Sequence, residues 1–333
     1  MHLIRFRFGL FLLAFAVFSA NAGGELLNFV PAGAEYVISV DAEALQKLTY
    51  FKNLTGSRSD ARVFLEDFER NYNLRLSDCT DLLFVGGGSR LRGLLAETSV
   101  PEPELAQRLR RFGSRFSIEG EAGRKLYCLR TDESIPGNRI TVGVAYLGPR
   151  AVLATDRRYI APFLTALAVP AEQRKTPLVT PKGEPLAWGF VDVGTILAGT
   201  KKSRADFGNA MLKGVNTVFA ELNVIGDGDS WRLDAAAQCD NARNARQFAL
   251  LVPAYLQVGA SLLFSDDPAL GREFLQQLKI MPDGSRVILE LAVSRSLAER
   301  LARYLELQAK KRIAPPDPVP PDIKAQLPEG RRD

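Results

Sequence analysis

The most regular pattern in the chain is an alternation of apolar and polar positions over residues 231–239, which read WRLDAAAQC. Successive side chains of a strand point to opposite faces of a sheet, so this spacing predicts a strand with one buried face. Residues 218–224 alternate in the same way, and GDGD at 226–229 between them contains the residues that tight hairpin turns favour. The two stretches therefore predict an antiparallel hairpin.

A helical pattern follows this hairpin. Apolar residues recur every three or four positions from Ala245 to Leu256, which is the spacing of one face of a helix. Either Asp240 or Asn241 is expected to cap its first turn, because their side chains accept hydrogen bonds from free amides. Proline lacks an amide hydrogen, so Pro253 is expected to kink this helix or to split it in two.

The same order of elements occurs earlier in a weaker form, over residues 82–112, where Ser99 and Glu102 are spaced as in a capping box before a helix. Residues 34–40 and 186–191 also match, because each predicts a strand that leads through Val-Asp into a short helical pattern. Hairpins favour antiparallel sheets with helices on one face. The predicted fold is therefore α+β, with two tandem related units, each a mainly antiparallel sheet with helices packed on one face.

Composition places the boundaries of these units. Residues 169–185 are polar and contain Pro170, Pro177, Pro181 and Pro185, which is typical of a linker. The first α+β unit is then expected at 23–168 and the second at 186–311. Residues 312–333 are rich in proline and are expected to be disordered.

The N-terminus has the features of a secretory signal peptide over residues 1–22. A basic start is followed by an apolar run at 8–18 and by the small residues Ala20 and Ala22 on either side of Asn21, with cleavage expected before Gly23. The apolar run is short for a membrane span, so no stable membrane insertion is expected after cleavage. The mature protein is expected to be soluble and located in the periplasm or outside the cell.

The charge of the chain gives weak evidence for an acidic partner. The formal net charge of +5 falls to about +3 without Arg5 and Arg7 of the signal segment. The remaining basic clusters are short, whereas nucleic-acid binding calls for a basic face with interleaved aromatic residues. Nucleic acid is therefore not an expected partner.

Three cysteines, Cys79, Cys128 and Cys239, cannot all pair within one chain. A bridge between Cys79 and Cys128 is possible in an oxidising compartment. The alternative is three buried free thiols that act as small apolar residues. The position of Cys128 and Cys239 in predicted strands favours this alternative.

The catalytic chemistry open to the mature chain is restricted, because the only histidine is His2 in the signal segment. Serine–histidine and cysteine–histidine catalysis and histidine-ligated zinc are excluded for the mature chain. The sequence also lacks a phosphate-binding GxxxxGK[ST] loop and a Cys-x-x-Cys pair. No cofactor is predicted.

Two acidic residues, Asp41 and Asp192, occupy matching places in the two units. A pair of carboxylates at the ends of paired strands could serve acid–base hydrolysis, as in glycosidases. Aspartate is also a preferred helix cap, and that simpler interpretation requires no catalysis.

The chain from about residue 35 to 310 resembles a group of uncharacterised exported proteins of planctomycete-type bacteria. The resemblance lies in the two Val-Asp openings, in AWGFVD, in RLDAAAQCDNARNARQFALL and in LKIMPDGSRVILELAVS. It implies export and a doubled α+β architecture, and it implies no catalytic residue.

These observations favour an exported, non-enzymatic binding or scaffold protein that docks another protein or an envelope component. A carboxylate-based hydrolase is the alternative, and a carrier of an apolar ligand between sheet and helices is a second alternative. The oligomeric state is left open by the sequence.

Overall fold

A computed structural model shows that the chain folds around one antiparallel sheet of twelve strands, in the order β11-β12-β10-β9-β8-β1-β2-β3-β7-β6-β5-β4. The structure describes residues 25–48, 51, 62, 65–66, 69, 74–88, 91–130, 141–169, 181, 183, 185–199, 212–225 and 230–313. The strands are β1 (Tyr36–Asp41), β2 (Cys79–Gly87), β3 (Leu91–Thr98), β4 (Phe116–Glu121), β5 (Arg124–Arg130), β6 (Thr141–Tyr146), β7 (Ala151–Asp156), β8 (Ala187–Asp192), β9 (Val215–Ile225), β10 (Ser230–Cys239), β11 (Leu278–Asp283) and β12 (Arg286–Val293). The prediction of an α+β fold with an antiparallel sheet is confirmed.

Seven α-helices pack against this sheet within the described part of the chain. They are α1 (Ala42–Lys47), α2 (Glu102–Arg110), α3 (Arg157–Leu167), α4 (Val193–Gly199), α5 (Ala242–Leu263), α6 (Pro268–Gln276) and α7 (Arg295–Ile313). None of the helices in those residues is long and apolar enough to cross a membrane.

The centre of the sheet is the pairing of β1 with β8. Tyr36 lies opposite Val191, and Val40 lies opposite Ala187. On its other side, β1 pairs with β2. The two halves of the chain therefore share one continuous sheet, which is joined along this pair of strands.

The first half carries helices on both faces of the sheet, so the prediction of helices on one face is wrong there. Leu82 of β2 belongs to the core under α1 and α2, whereas the next residue, Leu83, belongs to the core under α3. Strands buried on both faces need apolar residues at consecutive positions, as in Leu94-Leu95 of β3. A second apolar face requires a second layer of helices.

The second half has its helices on one face, as predicted. The residues of β12 that point to this face are Val287, Leu289, Leu291 and Val293, and they pack with α5, α6 and α7 in two adjoining clusters. Val193 of α4 belongs to the same side. We call the opposite side of β9, β10, β12 and β11 the open face.

Several local predictions can be compared with this fold. The hairpin is β9 and β10, and Asn241 caps α5 by accepting a hydrogen bond from the amide of Asn244 at 3.0 Å. Helix α5 runs through Pro253 without a break, because Pro253 lies on the exposed side, where water can hydrate the carbonyl that loses its partner. The capping box at Ser99 and Glu102 is wrong, since the helix begins at Glu102 after an N-cap at Pro101.

Other predictions fall outside the described residues. They concern the signal peptide with Ala20, Ala22 and Gly23, the turn at 226–229, most of the linker at 169–185, and the tail beyond Ile313.

All three cysteines are buried free thiols. Cys79 lies in the core under α1 and α2, and Cys128 lies in the core on the other face of the sheet. A disulfide needs Cβ atoms roughly 4 Å apart, so the sheet between Cys79 and Cys128 does not allow the bridge that the sequence left possible.

Candidate functional site

Three acidic residues form a row across the first half of the sheet. Asp81 of β2 lies opposite Asp41 of β1 and opposite Glu97 of β3. Directly opposed residues of antiparallel strands have Cβ atoms roughly 5 Å apart, so the three carboxyl groups are neighbours. Arg150 lies at one end of this row, with its guanidinium nitrogen 3.1 Å from the carboxylate of Glu97.

The row changes the acidity of its central member. Burial raises the pKa of Asp81 to about 7, and the negative charges of Asp41 and Glu97 and a hydrogen bond with Glu97 add to the rise. The charge of Arg150 acts in the opposite direction. A carboxyl group that can hold its proton near neutral pH has the property required of a general acid.

Asp41 has a second, structural role. Its carboxylate accepts a hydrogen bond of 2.5 Å from the amide of Ala44 in the first turn of α1. Burial raises the pKa of Asp41, and the hydrogen bond from Ala44 lowers it in part. Asp41 is therefore the helix cap that the sequence predicted as well as a member of the acidic row.

Asp192 is a cap of the same kind in the second half. Its carboxylate accepts hydrogen bonds from the amide of Thr195 at 2.9 Å and from the hydroxyl of Thr195 at 2.8 Å. Because β1 and β8 are antiparallel, Asp41 and Asp192 lie at opposite ends of the pair, about 20 Å apart at roughly 3.3 Å per residue. The structure therefore does not bring these two residues into one catalytic pair.

The acidic partners of Asp41 were missed by the sequence analysis, which singled out neither Asp81 nor Glu97. Both residues lie at the far ends of the hairpin formed by β2 and β3. Counting outward from the pair of Gly87 and Leu91, the last that the hairpin forms, places them opposite one another. The register of the hairpin was the signal that could have found them.

Ser39 adds an unusual feature on the same strand face as Asp41. Its hydroxyl is fully buried and has no hydrogen-bond partner. Ser39 lies between Leu83 of β2 and Trp188 of β8. Leaving a buried hydroxyl unpaired costs about 1–3 kcal/mol.

The open face of the second half carries an apolar row that crosses four strands. Phe219 lies opposite Ala236, Ala236 opposite Ile288, and Ile288 opposite Met281. The row begins beside the buried Phe190 of β8, which faces Phe219. It ends at Met281, whose exposed fraction is 42%.

A charged row runs beside the apolar one. Glu221, Asp234 and Glu290 lie opposite one another in turn on β9, β10 and β12. Arg232 contacts Asp234 at 2.7 Å and Glu290 at 3.4 Å. The open face is thus an apolar strip with an ordered polar border.

Metal chemistry finds little support in the described part of the chain. Among those residues, no group of three or more His, Cys, Asp or Glu side chains is placed to hold a metal ion. The acidic row is included in this finding.

The comparisons with known proteins give no family. No protein-family model and no curated protein matches the chain. Two solved structures of TP0453, a Treponema protein, are similar to it. Crystal form III has a TM-score of 0.46 and 12% identity, and covers 86% of this chain and 99% of its own. Crystal form I has a TM-score of 0.45 and 13% identity with the same coverage. Similarity at this level carries no argument about function.

Proposed function

We propose that this chain is an exported, non-enzymatic binding or scaffold protein of the periplasm or cell exterior, and that a partner protein docks on the open face. The observation that carries the proposal is the apolar row of Ala236, Ile288 and the exposed Met281, which lie outside the hydrophobic clusters of the described residues. Phe219, at the inner end of this row, packs against the cluster that contains Trp188.

A comparison of the two halves supports this role for the open face. Outward from the central pair, the strand order is β1, β2, β3, β7, β6 on one side and β8, β9, β10, β12, β11 on the other. The first half adds the pair β4 and β5. Two related units would produce this matching strand order. They would also produce the helix with an aspartate cap that follows both β1 and β8.

If the halves are related, the open face corresponds to the face that α3 covers in the first half. There, Ile160 and Phe163 of α3 pack beside Gly143 and Gly93 of β6 and β3. The corresponding strands of the second half, β11 and β10, carry Met281 and Ala236. A partner with an amphipathic helix would supply the cover that α3 supplies in the first half.

The proposal is tested by recovering the partner from cells. The tagged mature protein is crosslinked in the cell envelope and purified, and the proteins that come with it are identified and quantified by mass spectrometry. We expect one protein in comparable amount. Ile288→Glu combined with Met281→Glu should remove it, because two charges would be buried in the contact.

The matched control is Ile118→Glu on the edge strand β4, where the apolar side chain is 47% exposed and far from the open face in the strand order. This variant should still recover the partner. Equal recovery by the open-face variant, or recovery of the protein alone, would contradict the proposal.

A hydrolase is the second candidate, and one observation favours it: Asp81, with its pKa raised to about 7, lies between Asp41 and Glu97. Asp81 would donate the proton and a neighbouring carboxylate would act as base or nucleophile. The test is a panel of glycoside, ester and peptide substrates. Turnover that Asp81→Asn abolishes, in a variant that remains folded, would establish this candidate in place of the first.

A further inference from the structure

A row of apolar residues runs along the outward side of α5, with the exposed polar residues Gln247, Gln257 and Ser261 beside it. Leu250, Val258 and Leu262 are exposed to 79%, 62% and 60%, and Ala254 between them is exposed as well. These four residues recur every fourth position, so they form one stripe of about 18 Å at 1.5 Å per residue. The stripe lies opposite the buried side of α5, which holds Ala245, Phe248 and Val252.

The stripe is symmetric about position 256. Leu250 and Leu262 are equally distant from this position, and so are Ala254 and Val258. Two copies of α5 that cross antiparallel would therefore place each leucine of one copy against a leucine of the other, and each Ala254 against a Val258.

The charges at the two ends of the stripe follow the same symmetry. Arg246 lies on α5 four residues before Leu250, and Asp266 lies in the turn just after α5 ends at Leu263; both are exposed. Asp266 accepts a hydrogen bond of 2.8 Å from the side-chain amide of Gln308, which holds it at this end of α5. In the antiparallel pair, Arg246 of each copy would face Asp266 of the other.

We infer that α5 is a self-association surface, and that a second copy of this chain covers the stripe through an antiparallel α5–α5 contact with two-fold symmetry. A two-fold interface uses the same patch on both subunits, so the patch must be complementary to a second copy of itself. The stripe and the charges at its ends have this property. The contact involves one helix from each copy and is smaller than the roughly 800 Å² per partner of a stable interface. The dimer is therefore weak and concentration-dependent.

This surface lies on the helix-covered side of the second half, away from the open face. The inference goes beyond the proposed function and does not depend on it. Ile288→Glu should leave self-association unchanged, so failure of one proposal can be distinguished from failure of the other.

The first measurement is sedimentation equilibrium of the mature protein from micromolar to near-millimolar concentration. We expect a reversible monomer–dimer equilibrium. Val258→Asp should weaken it at least tenfold, because it buries two carboxylates in the centre of the contact. Val258→Ala should weaken it by a smaller factor. A monomer over the whole range, or a dimer that Val258→Asp leaves unchanged, would overturn the inference.

A charge exchange tests the orientation. Arg246→Asp and Asp266→Arg each place like charges together in the homodimer, so each variant alone should associate more weakly than the wild type. An equimolar mixture should recover association, because both end contacts of the mixed dimer again join opposite charges. A mixture that associates no better than either variant would contradict the antiparallel arrangement.

An apolar stripe could instead bind a membrane surface. The same variants distinguish lipid binding from self-association. Sedimentation of the protein with vesicles of anionic lipid measures this binding. Binding by the monomer that Val258→Asp abolishes, without any protein dimer, would assign the stripe to lipid and overturn the inference.

Discussion

Asp81 and Glu97 lie directly opposite one another on β2 and β3, and the negative charge of Glu97 adds to the rise in the pKa of Asp81. A proton on Asp81 relieves the repulsion between neighbouring carboxylates, so this group keeps its proton to a higher pH than an isolated aspartate does. Asp81 is therefore the group of this row whose protonation should respond to pH near neutrality.

The first prediction concerns the pH dependence of stability. The pKa of Asp81 is raised to about 7 in the folded state, against about 3.9 in an unfolded chain. Between these values the folded protein keeps a proton that the unfolded chain has lost, so this group's contribution to stability falls as the pH rises from 4 to 7. The full shift corresponds to about 4 kcal/mol, which solvent screening at this partly exposed site should reduce to about 1–2 kcal/mol.

Asp81→Asn removes this dependence because asparagine is neutral throughout. We expect the variant and the wild type to have the same free energy of unfolding in urea at pH 4, and the variant to be more stable at pH 8. The exposed Asp283→Asn is the control and should show no such divergence. The chain contains one histidine, His2, so histidine titration adds little to this pH range. A constant difference between Asp81→Asn and wild type at all pH values would be inconsistent with the acidic row.

The second prediction separates the two roles of Asp41. Asp41→Ala removes the hydrogen bond to the amide of Ala44 and should lower the free energy of unfolding by about 1 kcal/mol. Asp41→Asn should cost little, because asparagine caps as well and carries no charge beside Asp81. Thermal unfolding of both variants checks this, and an equal loss in both would mean that the carboxylate is needed for more than capping.

The third prediction tests the packing of α3 on the sheet. A Cβ atom at Gly93 would lie 2.7 Å from the ring of Phe163 and 2.8 Å from Leu153. Gly93→Ala should therefore destabilise the protein by about 1–3 kcal/mol through overpacking. Adding Phe163→Leu should recover part of this loss. Additive losses in the double variant would indicate that α3 does not contact β3 in this way.

The fourth prediction concerns the thiols. Burial raises the pKa of both Cys79 and Cys128 to about 12. Since the thiolate is the reactive form, the native protein at pH 8 should react with iodoacetamide far more slowly than the protein in urea. Reducing agent should leave the melting temperature unchanged. Rapid labelling of the native protein, or a reductant-sensitive melting temperature, would contradict the buried free thiols.

The sequence was most informative where one face of an element is buried and the other is exposed. The alternation over 231–239 predicted β10, and the three-to-four spacing after Asn241 predicted α5, because each has one apolar side. Caps were also predictable, since Asp41 and Asp192 act on amides within three residues of themselves.

Long-range relationships were not predictable from the same patterns. A strand such as β3 has apolar residues on both faces, with Leu94 on one and Leu95 on the other. Its sequence therefore lacks the apolar–polar alternation that would show which face a helix layer covers. The central pairing of β1 with β8 and the acidic row both depend on register between strands. The register between two strands depends on how they pair across the sheet, and it produces no repeating pattern in the sequence.

The pairing of β1 with β8 also constrains the order in which the protein folds. Tyr36 and Val191 are adjacent in the sheet but roughly 150 residues apart in the sequence. Contacts of such separation form slowly, because the intervening chain must first be brought together. In a protein that emerges N-terminus first, β1 would wait with one hydrogen-bonding edge unpaired until β8 arrived. During that interval the newly made chain would be most open to chaperones, and most exposed to aggregation.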